Sequence, residues 1–263
     1  ILVAGNVQAQ SFTITGSGGN QGWETGLPTP NTVTYNGNRS YDLVFNSTDL
    51  TDTLSPGMRL RTTRTVAAPT QCTSLNGTSQ YYSKSSPAGM TFTDDFVAGA
   101  WVKLSAYPVA ANAGIISRYN GTSGWSLYIT PSGTVTIIGY NGGPSNQSNL
   151  ASYQSIPLNK WVHIAAQADM SAFTNTPTTG YIMIDGVDVP ATYTRGGTNP
   201  TALVQAGNIE VGAYNGGTNP FPGKIAQAFV SSAKITQANV RTLISQGLTS
   251  SLISSNNIVS AYS

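Results

Sequence analysis

The fold of this chain is decided by a stretch that reads Tyr181-Ile182-Met183-Ile184-Asp185-Gly186-Val187-Asp188-Val189. An Asp-Gly pair between two apolar runs is a strong signal for a two-residue β-hairpin turn, because both central residues of such a turn need a positive φ. The stretch therefore predicts a strand over residues 180–184, a tight turn, and a returning strand over residues 187–194.

The same pattern of short strands and turns extends in both directions from this hairpin. Turn signals separate the strand candidates at spacings of about 8–12 residues, which is typical of a β-sandwich. The further candidates are residues 80–83, 98–105, 114–119, 125–130, 134–140, 161–169, 208–213 and 224–231. One helix is predicted late in the chain, with Thr236 as its N-cap and Gly247 at its end. The predicted fold class is all-β, an antiparallel jelly-roll sandwich with one short C-terminal helix.

We expect a domain break near residues 66–72, where Pro69 favours an extended connector. Residues 1–68 are predicted to be a small β module, in which strands 32–35 and 41–45 flank a hairpin turn signal. Residues 72–248 are predicted to be the sandwich. Residues 249–263 are predicted to be a linker and the start of a further, truncated segment.

The composition excludes several classes of protein. Lys and Arg number 12 against 10 Asp and Glu, and charged residues make up 8% of the 263 residues, against about 25% in an ordinary domain. A nucleic-acid-binding protein would need clustered basic residues, so we predict no nucleic-acid partner. The sequence has no run of about 18 apolar residues, so we predict no membrane insertion. Low charge gives weak colloidal repulsion, which suits a subunit of an assembly.

A series of short motifs resembles the laminin-G-like, concanavalin A-like lectin/glucanase sandwich found in bacterial and phage surface proteins. The motifs are Leu75–Tyr82, Ala100-Trp101-Val102-Lys103, Trp125-Ser126-Leu127, Trp161–Ala165, Tyr181–Val187, Ile209-Glu210-Val211-Gly212 and Phe221–Gln227. The resemblance covers about residues 72–248. It implies two antiparallel sheets, which we expect Trp101 and Trp161 to clamp together.

Two other segments resemble parts of surface appendages. Residues 22–66, with Gly22-Trp23 and Pro56-Gly57, are similar to a small β module common in phage tail and fibre proteins. Residues 258–263 resemble the start of another laminin-G-type unit. The pairing implies a longer parent protein at the virion surface, of the tail-fibre type; the alternative location is extracellular or on a bacterial cell surface.

The residues argue against an enzyme. A glycoside hydrolase needs two carboxylates on one face, about 5–5.5 Å apart in the retaining enzymes. The glutamates of this chain are Glu24 and Glu210, and neither has a carboxylate two or four positions away. His163 lies within an apolar strand candidate, which favours a structural histidine. We therefore predict no catalytic residues.

No cofactor is predicted, although the resemblance suggests calcium because many relatives hold one ion on a sandwich rim. Calcium needs several oxygen ligands. Asp185 is better explained by the hairpin turn, Asp188 lies on the returning strand, and the pair Asp49 and Asp52 lacks a third carboxylate. We predict no metal-binding residues.

The tripeptide Tyr-Asn-Gly occurs at residues 35–37, 119–121, 140–142 and 214–216. One interpretation is a reused turn, since Asn and Gly both tolerate a positive φ. The other is that tyrosines at loop tips form a contact surface. Tyrosine and amide side chains in the rim loops suit sugar recognition. The predicted ligand-binding residues are Tyr119, Tyr140, Asn141, Arg195, Tyr214 and Asn215.

Two functions of different class follow from these features. The first is an adhesion module of a virion appendage that binds a host-surface polysaccharide. The second is a purely structural or decorating virion subunit, in which Arg59 and Arg61 pack against other virion subunits or against copies of the chain. A trimer is the common symmetry of fibres, although nothing in the sequence sets the number. A bacterial cell-surface adhesin is a further alternative.

Overall fold

The structure of the chain is a computed structural model, and it describes residues 32–35, 41–44, 69–85, 92, 95–140, 142–143, 145, 147–168, 180–196, 207–214 and 216–262. The chain divides into two compact units, residues 1–65 and residues 66–263. In the first unit, strands β1 (Thr32–Tyr35) and β2 (Tyr41–Val44) pair antiparallel, with Tyr35 opposite Tyr41. The two predicted strands of this hairpin are confirmed. Arg59 and Arg61 lie outside the described residues.

The described residues of the second unit form two antiparallel sheets and two short helices, which confirms the predicted sandwich. The strands are β3 (Thr73–Asn76), β4 (Tyr82–Lys84), β5 (Phe96–Leu104), β6 (Ala113–Tyr119), β7 (Gly124–Ile129), β8 (Thr134–Tyr140), β9 (Gln147–Ser155), β10 (Val162–Ala168), β11 (Tyr181–Ile184), β12 (Val187–Asp188), β13 (Ala191–Gly196), β14 (Ile209–Val211), β15 (Pro222–Ser231) and β16 (Ile258–Tyr262). The helices are α1 (Gln237–Gln246) and α2 (Ser250–Ser255).

In the part of the chain that the structure describes, each sheet has seven strands. In the first sheet the order is β12-β11-β10-β5-β15-β16, and β3 also pairs with β15. In the second sheet the order is β13-β9-β8-β7-β6-β14-β4. No helix within the described residues combines the length and the apolar character that a membrane crossing requires.

The hairpin that the sequence predicted most strongly is present. Asp185 and Gly186 have φ values of 52° and 78°, and Ile184 lies opposite Val187. The Asp185 carboxylate also accepts a hydrogen bond from the His163 backbone N–H at 2.8 Å, which ties the turn to β10. The predicted returning strand over residues 187–194 is not continuous. It divides at Pro190, which has no N–H to donate, and the residues after Pro190 join the second sheet as β13.

The core between the two sheets is built around Trp125. This side chain is wholly buried, and its ring lies 5.1 Å from that of Phe96 and 6.4 Å from that of Phe92. The expectation that Trp101 and Trp161 clamp the two sheets together is therefore wrong. In β5, Ala100 and Val102 face the inter-sheet core, so the alternation of a strand turns Trp101 to the opposite face.

Trp101 instead belongs to a second apolar layer, between the first sheet and the helices. It packs in one cluster with Val240, Leu243 and Ile244 of α1, and Trp161 lies half-buried beside the same cluster. Helix α1 forms where predicted, with the Thr236 side chain accepting a hydrogen bond from the Asn239 N–H. Because α1 covers the outer face of this sheet, β5 and β10 are buried on both sides.

Residues 249–263, where we expected a linker and the start of a further segment, contain α2 and β16. The Thr249 side chain caps α2 by accepting a hydrogen bond from the Leu252 N–H. Leu252 and Ile253 pack against the second apolar layer, and β16 pairs with β15 along residues 228–231. Tertiary packing thus orders a segment whose Ser and Asn content favours a loop. The domain boundaries and the further unit stay predictions.

His163 has the structural position that the sequence suggested. It is buried in the second apolar layer, with its ring 5.3 Å from that of Trp101 and 6.2 Å from that of Phe229. Burial lowers the pKa of His163 to about 3 from the usual 6.5, because the charged imidazole would lose its solvation.

We expect this histidine to make the sandwich less stable in acid. Between pH 6.5 and 3 the unfolded chain binds a proton at His163 that the folded chain does not, so the free energy of unfolding should fall by at most about 1.4 kcal/mol per pH unit as the pH is lowered. Urea unfolding at pH 7, 6, 5 and 4 would measure this slope. His163→Phe should flatten it, and an unchanged slope in that variant would contradict the assignment.

Candidate ligand-binding face

Tyr119, Tyr140 and Tyr214 lie together on the outer face of the second sheet. The ring of Tyr119 is 4.6 Å from that of Tyr140 and 6.4 Å from that of Tyr214. Tyr128 completes the group, with its ring 6.0 Å from that of Tyr214. We call these four residues the tyrosine cluster. The sequence analysis missed Tyr128, which lies outside the Tyr-Asn-Gly tripeptides and carries no local signal of its own.

The close approach of Tyr119 and Tyr140 depends on the glycine between them. In the sheet Gly124 of β7 is directly opposite Tyr119 of β6 and directly opposite Tyr140 of β8. Because Gly124 has no side chain, the two rings can meet above it. Its φ of 128° is also in the region that favours glycine.

Tyr214 reaches the cluster from the loop between β14 and β15. The Ser117 hydroxyl on β6 donates a hydrogen bond to the Ala213 carbonyl at 3.1 Å, and the Tyr214 N–H donates to the Thr218 carbonyl at 3.1 Å. These bonds hold the start of the loop against the sheet. The tyrosines are therefore not projecting loop tips: Tyr119 and Tyr128 are 9% and 8% exposed, and Tyr140 and Tyr214 are half-buried.

Burial raises the pKa of each hydroxyl in the cluster above the usual 10 of tyrosine. It raises the pKa of Tyr128 to about 12, with a smaller contribution from the nearby Tyr214. Burial likewise raises the pKa of Tyr140 and of Tyr119, and neighbouring tyrosines add to both shifts. At physiological pH these groups are uncharged hydroxyls, which can both donate and accept hydrogen bonds.

A row of mostly polar side chains crosses the same face, one from each strand. The pairing register places Ser83, Glu210, Ser117, Ser126, Ile138, Asn149 and Thr194 side by side. Ser117 and Ser126 are wholly buried, whereas Asn149 is half-buried and Thr194 is exposed. The Ser126 hydroxyl has no hydrogen-bond partner. The face is thus covered over β6 and β7 and open over β9 and β13.

We define the open face as Tyr140, Gln147, Asn149, Thr192 and Thr194, with Tyr214 at its covered side. Gln147 is directly opposite Tyr140 in the sheet, and Asn149 is directly opposite Thr194. Directly opposite side chains lie about 5 Å apart at their Cβ atoms. The Tyr140 ring therefore stands next to the amide of Gln147, and the amide of Asn149 lies diagonally across from it, opposite Ile138.

The carboxylate in the polar row does not form a catalytic pair. Glu210 is 4% exposed and accepts a hydrogen bond from the Gly217 N–H at 3.3 Å. Burial raises its pKa, and hydrogen bonds from the Gly217 and Gly216 backbone lower it by less. The polar row contains no other acidic residue, so the spacing of two carboxylates that glycoside hydrolysis requires is not found along it.

The other predicted ligand residues are not all described. Arg195 lies on β13 opposite Ser148, and its side chain is outside the described part of the structure. Asn141 and Asn215 lie outside the described residues. The structure therefore brings together Tyr119, Tyr140 and Tyr214 of the predicted set, and the role of all six residues stays a prediction.

Two of the aspartates considered for calcium, Asp185 and Asp188, each accept a hydrogen bond from elsewhere in the chain. Asp185 accepts the His163 N–H, and Asp188 accepts a hydrogen bond from the Gln237 side-chain amide at 2.8 Å. Asp49 and Asp52 are outside the described residues. Across the ranges that the structure describes, no three acidic, histidine or cysteine side chains come together in a way that could hold a metal ion.

Comparisons with known proteins agree with this architecture. Residues 76–241 match a laminin G family model described as the concanavalin A-like lectin/glucanases superfamily. Among solved structures, a candidate carbohydrate-binding protein from Bacteroides ovatus ATCC 8483 is similar, with a TM-score of 0.52 and 17% identity over 74% of this chain and 52% of that chain. The chain thus spans about half the length of that protein.

Two further similar structures have lower TM-scores. The CBM40 of a Ruminococcus gnavus IT-sialidase, bound to α2,3 sialyllactose, has a TM-score of 0.49 and 14% identity over 66% of this chain and 98% of that chain. The binding domain of botulinum neurotoxin serotype G has a TM-score of 0.48 and 14% identity over 65% of this chain and 41% of that chain. No curated protein sequence matches this chain.

Proposed function

This chain belongs to the concanavalin A-like lectin/glucanase superfamily, and from that premise we propose that its sandwich is a non-enzymatic adhesion module that binds a glycan on the open face. The observation that carries the proposal is the half-buried Tyr140 directly opposite Gln147, with Asn149 diagonally across from it on the same face. A sugar ring presents an apolar face of C–H groups and an edge of hydroxyls. The tyrosine ring suits the first, and the amides suit the second because they both donate and accept.

The covered side of the face supports the same proposal. The cluster packs Tyr140 against Tyr119, and the bond from Ser117 to Ala213 holds the loop that carries Tyr214. A preformed aromatic wall loses little conformational entropy when a ligand binds, so more of the contact energy contributes to affinity.

We propose that the sandwich has no catalytic activity, because its acidic and basic groups are not placed for catalysis. Glu210 is buried and hydrogen-bonded to the backbone, and it has no acidic neighbour in the polar row. His163 lies in the second apolar layer on the other sheet. The open face can therefore hold a sugar, but it lacks the acid and the nucleophile that cleave one.

We further propose that the chain is part of a virion surface or tail appendage and that its glycan is a host-surface polysaccharide. The support is the similarity of residues 22–66 to a β module of phage tail and fibre proteins. A purely structural or decorating virion subunit, and an adhesin of a bacterial cell surface, are the alternatives.

A glycan array followed by titration of the best-binding glycan tests the proposal. We expect saturable binding, which Tyr140→Ala and Asn149→Ala should each weaken by about tenfold, because each removes a contact worth about 1.4 kcal/mol. Tyr140→Phe keeps the ring and should retain most of the affinity. Tyr82→Ala is the matched control, since Tyr82 is 55% exposed on the edge strand β4.

Thermal melts of each variant separate lost binding from lost folding. If no glycan binds saturably, or if Tyr82→Ala weakens binding as much as Tyr140→Ala does, the open face is not the site. Defined oligomers in light scattering without any glycan binding would favour the structural subunit.

A further inference from the structure

A further aromatic side chain, Tyr153 of β9, lies at the end of the open face that is remote from the tyrosine cluster. It is 71% exposed, and its hydroxyl accepts a hydrogen bond from the Thr192 hydroxyl on the neighbouring strand β13. Thr192 belongs to the open face. The bond therefore places the Tyr153 hydroxyl on that face too, although the glycan site described above does not include it.

The alternation of β9 gives the same placement. Gln147, Asn149, Ala151 and Tyr153 occupy every second position, so they share one face of the strand. Leu150 packs in the core between the two sheets, so the four residues face outward. The pairing of β9 with β13 extends as far as Tyr153, whose N–H donates a hydrogen bond to the carbonyl of residue 190 at 3.1 Å.

Tyr140 and Tyr153 are too far apart to contact the same sugar ring. Tyr140 is directly opposite Gln147, and Tyr153 lies six residues farther along β9. At a rise of about 3.3 Å per residue, the two positions are about 20 Å apart along the strand. A monosaccharide can therefore contact one of the two tyrosines, whereas a linear oligosaccharide can reach both.

The surface between the two tyrosines carries short, uncharged side chains. Ala151 has only a methyl group, Asn149 has an amide, and Thr192 and Thr194 on β13 have hydroxyls. All four residues are half-buried or exposed. This part of the face therefore leaves room for sugar rings above β9, and it offers hydrogen-bond donors and acceptors to their hydroxyls.

We propose that the open face binds a linear oligosaccharide along β9, with Tyr140 and Tyr153 as two separate aromatic subsites. The inference rests on the proposed glycan-binding function and adds the size and the direction of the glycan. Because both subsites contact the same chain of sugars, the second contact is intramolecular once the first has formed. Affinity should therefore rise when the oligosaccharide becomes long enough to reach Tyr153.

The test is titration calorimetry of the full chain with size-graded fragments, of one to six sugar residues, cut from the glycan that binds best on the array. We expect the hexasaccharide to bind about tenfold or more tightly than the disaccharide. Tyr153→Ala should remove this gain and leave disaccharide binding unchanged, because the disaccharide binds beside the preformed tyrosine cluster. Tyr140→Ala should weaken the binding of both.

Two variants serve as controls. Tyr153→Phe keeps the ring and should retain most of the affinity for the hexasaccharide. Tyr82→Ala removes another exposed tyrosine, which lies on β4 at the opposite edge of the same sheet, and it should change the binding of neither fragment. Thermal melts check that each variant is folded.

The outcomes separate this inference from the proposed function. If no glycan binds saturably, both are wrong. If a glycan binds but its disaccharide binds as tightly as its hexasaccharide, the adhesion module stands and the second subsite is wrong. Undiminished hexasaccharide binding by Tyr153→Ala would likewise overturn the second subsite alone. The comparison of fragment lengths needs only the original chain, so it decides the question even if a variant does not fold.

Discussion

Replacing Trp125 with alanine is expected to lower the free energy of unfolding by about 3–5 kcal/mol, the usual cost of removing a large aromatic side chain from a core. Trp125 is wholly buried between the sheets and contacts the rings of Phe92 and Phe96. Its removal would leave a cavity that two rigid sheets cannot close. For a unit of this size the melting temperature should fall by about 6–20 °C. Urea unfolding and thermal melts measure both quantities.

Two variants serve as controls for this result. Trp125→Phe should cost much less, because it keeps an aromatic ring and because the indole N–H that it removes has no hydrogen-bond partner. Trp161→Ala should also cost less, since Trp161 is half-buried beside the second apolar layer. If Trp161→Ala were as destabilising as Trp125→Ala, the assignment of the inter-sheet core to Trp125 would be wrong.

Replacing Gly124 with alanine is expected to destabilise the second sheet by about 3 kcal/mol or more. A Cβ atom at this position would lie 1.9 Å from the Arg118 carbonyl oxygen, and the φ of 128° adds strain for any other residue. Backbone atoms of β6 and β7 would have to separate. Tyr119 and Tyr140 would then lose their contact, so glycan binding should fall together with stability. Melting temperature and glycan titration measure the two effects.

Gly142→Ala is the matched control for this substitution. Gly142 also has a positive φ, 75°, but a Cβ atom there would meet nothing within 4 Å. The control should therefore show only the cost of the backbone conformation, about 1–2 kcal/mol. Equal effects of the two substitutions would mean that the close packing under the tyrosine cluster contributes nothing.

The features that the sequence predicted correctly are those that a few neighbouring residues determine. Asp185 and Gly186 form the predicted turn because the two residue types tolerate a positive φ. Thr236 and Gly247 bound the predicted helix α1 because capping depends on the first and last turn. Both signals act over a few residues, so the turn and the helix form as predicted in the tertiary structure.

The sequence predicted only part of the candidate site, because the site is formed by residues that are far apart in the chain. The sequence analysis selected Tyr119, Tyr140 and Tyr214 because each is followed by Asn-Gly. That dipeptide indicates a turn and gives no information on which side chains are in contact. Tyr128 joins them only because the pairing register and the loop after β14 place it under Tyr214. The open face likewise depends on which strands pair. The residues of one strand do not show which distant strand it pairs with.

The sequence by itself determined the all-β class, the alternation of each strand and the chemistry available, which is rich in tyrosines and amides and poor in carboxylates. Alternation is a local property of the backbone, so it can be read from the residues. Only the tertiary structure decided which side of each strand faces the inter-sheet core. The helices bury the outer side of β5, so this strand is apolar on both sides. Its sequence alone therefore does not show which side faces the other sheet. Trp101 of β5 therefore packs against the helices, whereas Trp125 of β7 lies between the sheets.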